Sequence, residues 1–346
     1  MKRPLSFALL LSLALGASSA FAQSTNSSII DRAQQPAPPS PAPAQSEAAK
    51  ALGVEGEDTG VQRIADPRRY PLKFFLNTDS QLYFTDNVFL APNDNPQSES
   101  DAVVLANTLS LRAEAPSWAF ASALATPSLG LSYQRYYHGL GRNRADREDL
   151  DFDSYSIPLN LRFRTQNGWE ANLGVTGGSI YRLNGTSGYE NIYRNITPSL
   201  NVRKLISLNK QNLVSLGATL DYAATWTTTP GGAFDYRDNR NDKLDAVGDI
   251  SYYYLRDRWT FNIYGRVAVG DYTGYQEAGF RNLNRTDATF SLGASVNYSI
   301  NAWASARLFT SSDWRTSTQD GTSTAGDDYT YEAGTVGTGI SLNFSY

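Results

Sequence analysis

Residues 336–346 read Val-Gly-Thr-Gly-Ile-Ser-Leu-Asn-Phe-Ser-Tyr, and this stretch decides the fold. Its larger side chains occupy every second position from Val336 to Tyr346, and glycine, serine and asparagine occupy the positions between them. Successive side chains of a β-strand point to opposite faces, so one face here suits lipid and the other suits water. The stretch therefore predicts the closing strand of a transmembrane β-barrel, which ends on an aromatic residue.

The same alternation continues through most of the chain before this strand. Phe290, Leu292 and Val296 fall on one face of an earlier segment, and serine, glycine and asparagine lie between them. Each such segment is long enough for a tilted strand, which needs about 9–11 residues to cross a bilayer. We predict an all-β fold, a closed antiparallel barrel of about twelve strands, at 72–86, 101–113, 127–138, 153–165, 168–182, 191–205, 212–227, 243–256, 258–271, 285–300, 302–315 and 329–346.

The connections between these strands alternate in length. Short turns lie at 166–168, 208–211, 256–258 and 300–302, and long polar connections lie near 87–100, 139–152, 183–190, 228–242, 272–284 and 316–328. Outer-membrane barrels have short periplasmic turns and long outer loops, and an even strand number returns both termini to one side. The connection at 114–126 is too long for a tight turn, so it either lengthens the neighbouring strands or forms a small periplasmic element.

The composition agrees with a barrel and argues against several other classes. Mean hydropathy is −0.40 although 41% of the residues are hydrophobic, as expected where strands alternate in polarity. The chain has no cysteine, which excludes disulfides, thiolate metal sites and a cysteine nucleophile. A formal net charge of −4 without a basic stripe argues against nucleic acid as a partner.

The first 70 residues differ in character from the rest. Lys2 and Arg3 precede a short apolar run, and Ala20-Phe21-Ala22 has the A-x-A form of a cleavage site. Residues 1–22 are therefore a predicted secretory signal peptide. Residues 23–70 are rich in proline and alanine, which favours a flexible periplasmic tail over a plug for the lumen. Residues 71–346 form the predicted barrel.

Both ends of the predicted barrel resemble known outer-membrane proteins. The exit of the first strand, Tyr83-Phe84-Thr85-Asp86-Asn87-Val88-Phe89, resembles the opening-strand motif of a family of β-barrel porins. Leu342-Asn343-Phe344-Ser345-Tyr346 resembles the C-terminal signature read by the outer-membrane assembly machinery, in which tyrosine is an accepted variant of the usual phenylalanine. The resemblance to outer-membrane porin-like β-barrels implies a location and a fold more than an activity.

The polar faces of the predicted strands carry charged side chains of both signs. They either line an aqueous path and set its ion selectivity, or pair across the lumen and fill it. In the strand after Asn301 we choose the register that turns Arg307 inward, because arginine at mid-bilayer costs about 2–4 kcal/mol. Trp303 then lies at the rim. The candidate lumen and selectivity residues are Asp79, Arg112, Arg162, Arg164, Glu170, Arg203, Asp221, Asp245, Asp249, Arg266 and Arg307.

Aromatic side chains near the strand ends predict two belts, one at each membrane–water interface. Three tryptophans directly follow short turns, and two lie beside long connections. The predicted girdle residues are Trp169, Trp226, Trp259, Trp303, Trp314, Phe344 and Tyr346.

Catalytic and metal chemistry are not expected. His138 is the only histidine, and the sequence offers it no serine or aspartate partner. We interpret it as a rim or belt residue rather than a catalytic one. The long connections carry clusters of aspartate and asparagine without EF-hand spacing, which we interpret as solvated loops rather than Ca²⁺ sites. We predict no cofactor and no metal site.

These observations predict a channel of the Gram-negative outer membrane for passive diffusion of ions or small hydrophilic solutes. The alternative is a non-conducting structural or surface-interaction barrel, with a part in polysaccharide export or envelope assembly. An outer-membrane hydrolase is the third hypothesis. The expected partners are outer-membrane lipid and lipopolysaccharide, the barrel-assembly machinery and small solutes, with both termini in the periplasm.

Overall fold

The computed structural model describes residues 29–33, 72–91, 100–138, 140, 148–185, 188–227, 241–274, 285–318 and 329–345. The predicted signal peptide, most of the predicted tail, Tyr346 and the centres of most long connections, with most of their acidic clusters, lie outside these ranges. No helix within them is long and apolar enough to span a membrane.

Twelve long strands and one short strand make up the fold, with a single 3₁₀ turn at Glu148–Leu150 among the described residues. The strands are β1 Lys73–Thr85, β2 Ala102–Glu114, β3 Trp118–Phe120, β4 Ala123–Tyr137, β5 Phe152–Thr165, β6 Trp169–Gly185, β7 Gly188–Ser207, β8 Asn212–Thr227, β9 Lys243–Arg256, β10 Trp259–Tyr272, β11 Thr286–Ser299, β12 Ala304–Thr318 and β13 Tyr331–Ser345.

The strands pair antiparallel with their neighbours, and the sheet closes on itself. β1 pairs with both β2 and β13, and β2 pairs with β4, so β3 stands outside the ring as a small hairpin with β4. The result is a closed barrel of twelve strands, which confirms the predicted fold class. We call the end with the turns at 166–168, 208–211, 257–258 and 300–303 the short-turn end, and the opposite end the long-loop end.

Alternation sets the two faces of the barrel as expected. Large apolar side chains such as Leu159, Leu200 and Ile340 are exposed on the outer face, while their polar neighbours along each strand point inward. Several of these leucines lie side by side across strands, since Leu200 is in register with both Leu173 and Leu220. An apolar belt of this kind is stable in a lipid bilayer and would be costly in water.

Two regions differ from, or refine, the sequence-based expectations. The connection at 114–126 lengthens a neighbouring strand, because β4 begins at Ala123, and it also forms a small hairpin, because β3 pairs back against β4. Residues 29–33 form a helical turn whose Ile29 and Ile30 are buried within the barrel. These five residues belong to the segment predicted to be a tail, and in the structure they pack inside the barrel.

The turn between β5 and β6 depends on a glycine. Gly168 has a φ of +82°, and a Cβ added there would lie 2.7 Å from the carbonyl oxygen of Leu205. Its amide hydrogen bonds to Thr165, and its own carbonyl accepts from Leu205. A side chain would meet both left-handed strain and this backbone contact.

A second glycine permits close packing inside the barrel. A Cβ on Gly337 would lie 2.7 Å from the Leu82 carbonyl oxygen and 2.7 Å from Phe309 Cζ, and would also meet Tyr83 Cβ. Gly337→Ala is therefore expected to lower the free energy of unfolding by about 1–3 kcal/mol, as overpacking does. Gly265→Ala is the matched control, since the nearest atom there is Ile250 Cγ2 at 3.8 Å. Urea unfolding in lipid would measure both, and equal stabilities would contradict the packing argument.

Candidate functional site: the lumen

The lumen carries the predicted charged residues, and it divides into an open and a buried wall. Nine of the eleven candidates keep partial solvent access, all of them on strands from β2 to β10. The other two, Asp79 on β1 and Arg307 on β12, are buried. Arg307 points inward and Leu308 outward, so the register chosen for this strand is the one observed.

A group of six charged residues lies at the short-turn end of the open wall. In it, Arg112 and Arg162 both contact the carboxylate of Glu114, at 3.4 and 3.2 Å. Arg164 donates from both Nε and Nη2 to Glu170 Oε2, at 3.1 and 2.8 Å. The basic cluster consists of four arginines and two glutamates: Arg112, Glu114, Arg162, Arg164, Glu170 and Arg203, the last of which is in register with Glu170.

Glu114 was missed from the sequence because it was assigned to the long connection rather than to a strand. β2 in fact extends to this residue, and the parity of Arg112 then places Glu114 on the lumen face. Its position beside two arginines could have been found by extending the alternation by one residue pair.

A more acidic group lies further toward the long-loop end of the same wall. Asp221 is in register with Asp245, and Asp245 contacts Lys243 Nζ at 2.9 Å. Asp249 is in register with Arg266 on the neighbouring strand. The lumen-facing groups here are three aspartates, one lysine and one arginine, so their net charge is negative, whereas that of the basic cluster is positive.

The buried wall contains an ion pair between Asp79 and Arg307. Arg307 Nη2 donates to Asp79 Oδ2 at 2.9 Å, and both side chains are almost fully buried. Ser341 and Gln81 also donate to the Asp79 carboxylate. Buried charges are tolerated when they are paired and hydrogen-bonded in this way, so this part of the lumen is structural.

The long-loop half of the lumen is occupied by residues 29–33, which we call the N-terminal turn. Ile29 and Ile30 pack into a cluster of inward-facing apolar side chains contributed by β1, β2, β5, β6, β7 and β12 and their connections. The buried members of this apolar seat are Tyr83, Val88, Ala102, Val104, Ala106, Leu150, Phe152, Ile180, Ile192, Tyr193 and Phe309.

Polar contacts hold the same turn in place. Arg32 donates from Nε to the carbonyl of Val88 at 2.7 Å and from Nη2 to the carbonyl of Asn87. Asp31 Oδ2 lies 3.1 Å from Arg315 Nη1. Arg315 in turn lies 3.8 Å from Asp287, so it stands between two carboxylates.

The aromatic residues predicted to form two girdles lie near the ends of the described strands. Trp303 stacks on Phe344 with ring centroids 5.8 Å apart, and Trp259 packs against Tyr298 at 4.7 Å, both at the short-turn end. Trp314 stacks on Phe290 at the other end. Trp169 follows the 166–168 turn, Trp226 lies near the long-loop end of β8, and Tyr346 is outside the described residues.

The only histidine is buried, which corrects its interpretation as a rim residue. His138 is 1% exposed, and its ring packs beside Tyr136 and Phe152, whose rings stack on each other. Its Nδ1 lies 3.5 Å from Asp151 Oδ1, so an Asp–His pair does exist in space. Burial lowers the pKa of His138, and the ring cannot reach a solute in water. No group of metal-ligating side chains occurs among the described residues.

These features define a transmembrane β-barrel of the bacterial outer-membrane class, with a polar lumen partly filled by its own N-terminal turn. The sequence matches no protein-family model, and no curated protein resembles it significantly in sequence.

Several solved structures of outer-membrane barrels are similar to this chain. An outer membrane channel from Pseudomonas putida is 13% identical with a TM-score of 0.44, over 81% of this chain and 99% of that one. A bacterial polysaccharide outer membrane secretin is 12% identical with a TM-score of 0.43, over 78% and 98%. The β domain of the Bordetella autotransporter BrkA is 12% identical with a TM-score of 0.40, over 79% and 100%. The similarity concerns the fold alone.

Proposed function

We propose that this protein is an outer-membrane channel for passive diffusion of ions or small hydrophilic solutes. The observation that carries the proposal is the open wall, where nine charged side chains from β2 to β10 remain accessible to water inside a closed barrel. Charged side chains that line a pore set up the field that an ion or polar solute meets. Charges buried only for stability would be paired and dehydrated, as Asp79 and Arg307 are.

The uneven charge of the open wall suggests how the channel selects solutes. The basic cluster contains two more arginines than glutamates, so it attracts small anions at the short-turn end. The acidic group further toward the long-loop end attracts cations instead, so it weakens the preference of the whole lumen for anions. We propose weak anion selectivity, with Arg203 as the main contributor because the ion pairs of the basic cluster among the described residues involve the other three arginines.

Arg203→Gln is expected to shift the permeability ratio toward cations by about tenfold. A unit charge about 6 Å from the ion path is worth about 0.7 kcal/mol in water, or about threefold for each ion, and its removal disfavours anions and favours cations by that factor. The reversal potential across a KCl gradient, measured during open events, would report the shift. Arg256→Gln is the matched control, since Arg256 is exposed beside the turn at 257–258, and it should leave the potential unchanged. Identical potentials for all three proteins would contradict the assignment of Arg203 to the ion path.

A non-conducting barrel is the second candidate, and the N-terminal turn is the observation that favours it. Single-channel recording on the refolded full chain separates the two functions. Stepwise currents support the channel. A correctly folded barrel that stays silent at every potential, both as the native chain and with the contacts of the N-terminal turn removed, would leave only the non-conducting barrel.

The location and partners follow from the same proposal. We propose that the short-turn end faces the periplasm and that the long-loop end meets the lipopolysaccharide layer. The final strand, which ends at the short-turn end, would then present its terminal residues to the assembly machinery during insertion. Outer-membrane lipid would contact the apolar belt between the two aromatic girdles.

A further inference from the structure

We infer that residues 29–33 are a gate: they bind reversibly in a built site in the long-loop half of the lumen and close the channel while bound. The inference rests on the proposed channel function and adds its regulation. The ligand of this site is a segment of the chain itself, an amphipathic turn with two isoleucines, one aspartate and one arginine.

The apolar seat is the first argument, because it is out of place in a water-filled barrel. Elsewhere in this barrel the inward positions are filled mainly by serine, threonine, asparagine, glycine and charged residues. At the long-loop end the inward positions instead carry Val104, Phe152, Ile180 and Phe309. Apolar side chains facing an aqueous lumen are unfavourable unless something covers them, and Ile29 and Ile30 cover them here.

The polar contacts are the second argument, because each charged side chain of the turn meets a complementary group of the barrel. Arg32 meets two backbone carbonyls at the exit of β1, and Asp31 meets Arg315 on β12. Arg315 is shared with Asp287, which also pairs with Arg285 at 2.6 Å. Arg315 therefore keeps a carboxylate partner when Asp31 leaves, and so the open state does not strand a buried charge.

The way the turn is attached is the third argument. Every long strand of the barrel is held by two backbone ladders, whereas no described strand pairs with residues 29–33. The turn is held by a few side-chain contacts and one small apolar interface. Local opening concentrates in such weakly attached elements, so the turn can leave while the barrel stays intact.

Thiol labelling tests occupancy of the site independently of any current. The chain contains no cysteine, so Ile30→Cys introduces the only thiol. In reconstituted full-length protein its reaction with a water-soluble maleimide should be at least tenfold slower than that of Lys210→Cys, which is exposed in a short turn. Adding Asp31→Asn should speed the reaction about tenfold, since one charge-assisted contact is lost. Adding Asp257→Asn, in the exposed turn at the opposite end, should not change it.

Planar-bilayer recording of the full chain then tests closure. Asp31→Asn should raise the fraction of time spent open about tenfold, Asp31→Glu should largely restore the native value, and Asp257→Asn should match the native protein. Fast labelling of the Ile30→Cys thiol in every background would overturn the bound site. Slow labelling with equal open times in all variants would overturn the gate and leave the channel standing. A thiol that is released by Asp31→Asn without current in any variant would overturn the proposed channel, and the gating role with it.

Discussion

Asp79→Ala is expected to lower the free energy of unfolding of the barrel by about 3–5 kcal/mol, the usual effect of removing one partner of a buried ion pair. The carboxylate accepts hydrogen bonds from Arg307, Ser341 and Gln81, and the Arg307 side chain is only 1% exposed. Without Asp79 the guanidinium would stay charged and buried and would lose this carboxylate. The loss should appear as a lower urea midpoint for unfolding from lipid vesicles or detergent micelles.

Two further variants show whether this loss of stability comes from the buried charge of Arg307. Asp249→Ala removes a lumen carboxylate that is partly exposed, so it should change stability by less than about 1 kcal/mol. The double variant Asp79→Leu with Arg307→Met replaces the pair with apolar groups and should recover most of the loss. If Asp79→Ala were no more damaging than Asp249→Ala, the buried pair would not organise this wall.

Leu200→Arg is expected to cost about 2–4 kcal/mol of folding free energy in a bilayer. Leu200 is exposed on the outer face of β7 and lies in register between Leu173 and Leu220. Arginine at this place would face hydrocarbon rather than water, and its charge would have to be dehydrated or reach for the interface. Reversible urea unfolding in vesicles measures the cost directly.

Ser199→Arg is the matched control one residue earlier on the same strand. Ser199 faces the lumen in register with Asp221, so a new arginine there gains water and a neighbouring carboxylate. Its stability should stay within about 1 kcal/mol of the native protein. Equal costs at positions 199 and 200 would contradict the assignment of an outer lipid face and an inner aqueous face.

The strands could be predicted because their signal is local. Strand boundaries agree to within a few residues, as at 212–227 and 243–256, because alternation and turn residues are both read from neighbouring positions. The inward direction of Arg307 followed from one energetic argument, the cost of arginine in lipid. Hydrogen-bonded pairing between β1 and β13 then follows from the need to close the sheet.

The N-terminal turn could not be predicted because its contacts are distant in sequence. Arg32 binds the carbonyl of Val88, 56 residues away, and Asp31 meets Arg315, 284 residues away. Proline and alanine around the turn gave the stronger local signal and favoured a tail. The apolar residues Val104, Ile180 and Phe309 at inward positions were the available hint that the lumen holds an apolar partner.

Contacts between residues on either side of a long connection could not be predicted either, because they are also distant in sequence. His138 and Asp151 belong to the two ends of one long connection, and the sequence does not say that these ends meet. A cluster on the outer face was missed likewise, where Asp153 accepts hydrogen bonds from Tyr133 and Tyr189 and pairs with Arg135 at 3.1 Å. Alternation along β5 places Asp153 on the outer face, and it is these contacts that shield the carboxylate from lipid.

The central claim is that an aqueous lumen lies inside a lipid-facing barrel, and a five-position cysteine scan of β7 tests it most directly. Ser199, Leu200, Asn201, Val202 and Arg203 are each replaced by cysteine in the otherwise cysteine-free chain and exposed to a water-soluble maleimide in vesicles. We expect reaction at 199, 201 and 203 and protection at 200 and 202, with the rates alternating along the strand. Uniform protection, uniform reaction or the opposite alternation would contradict an aqueous path along this wall.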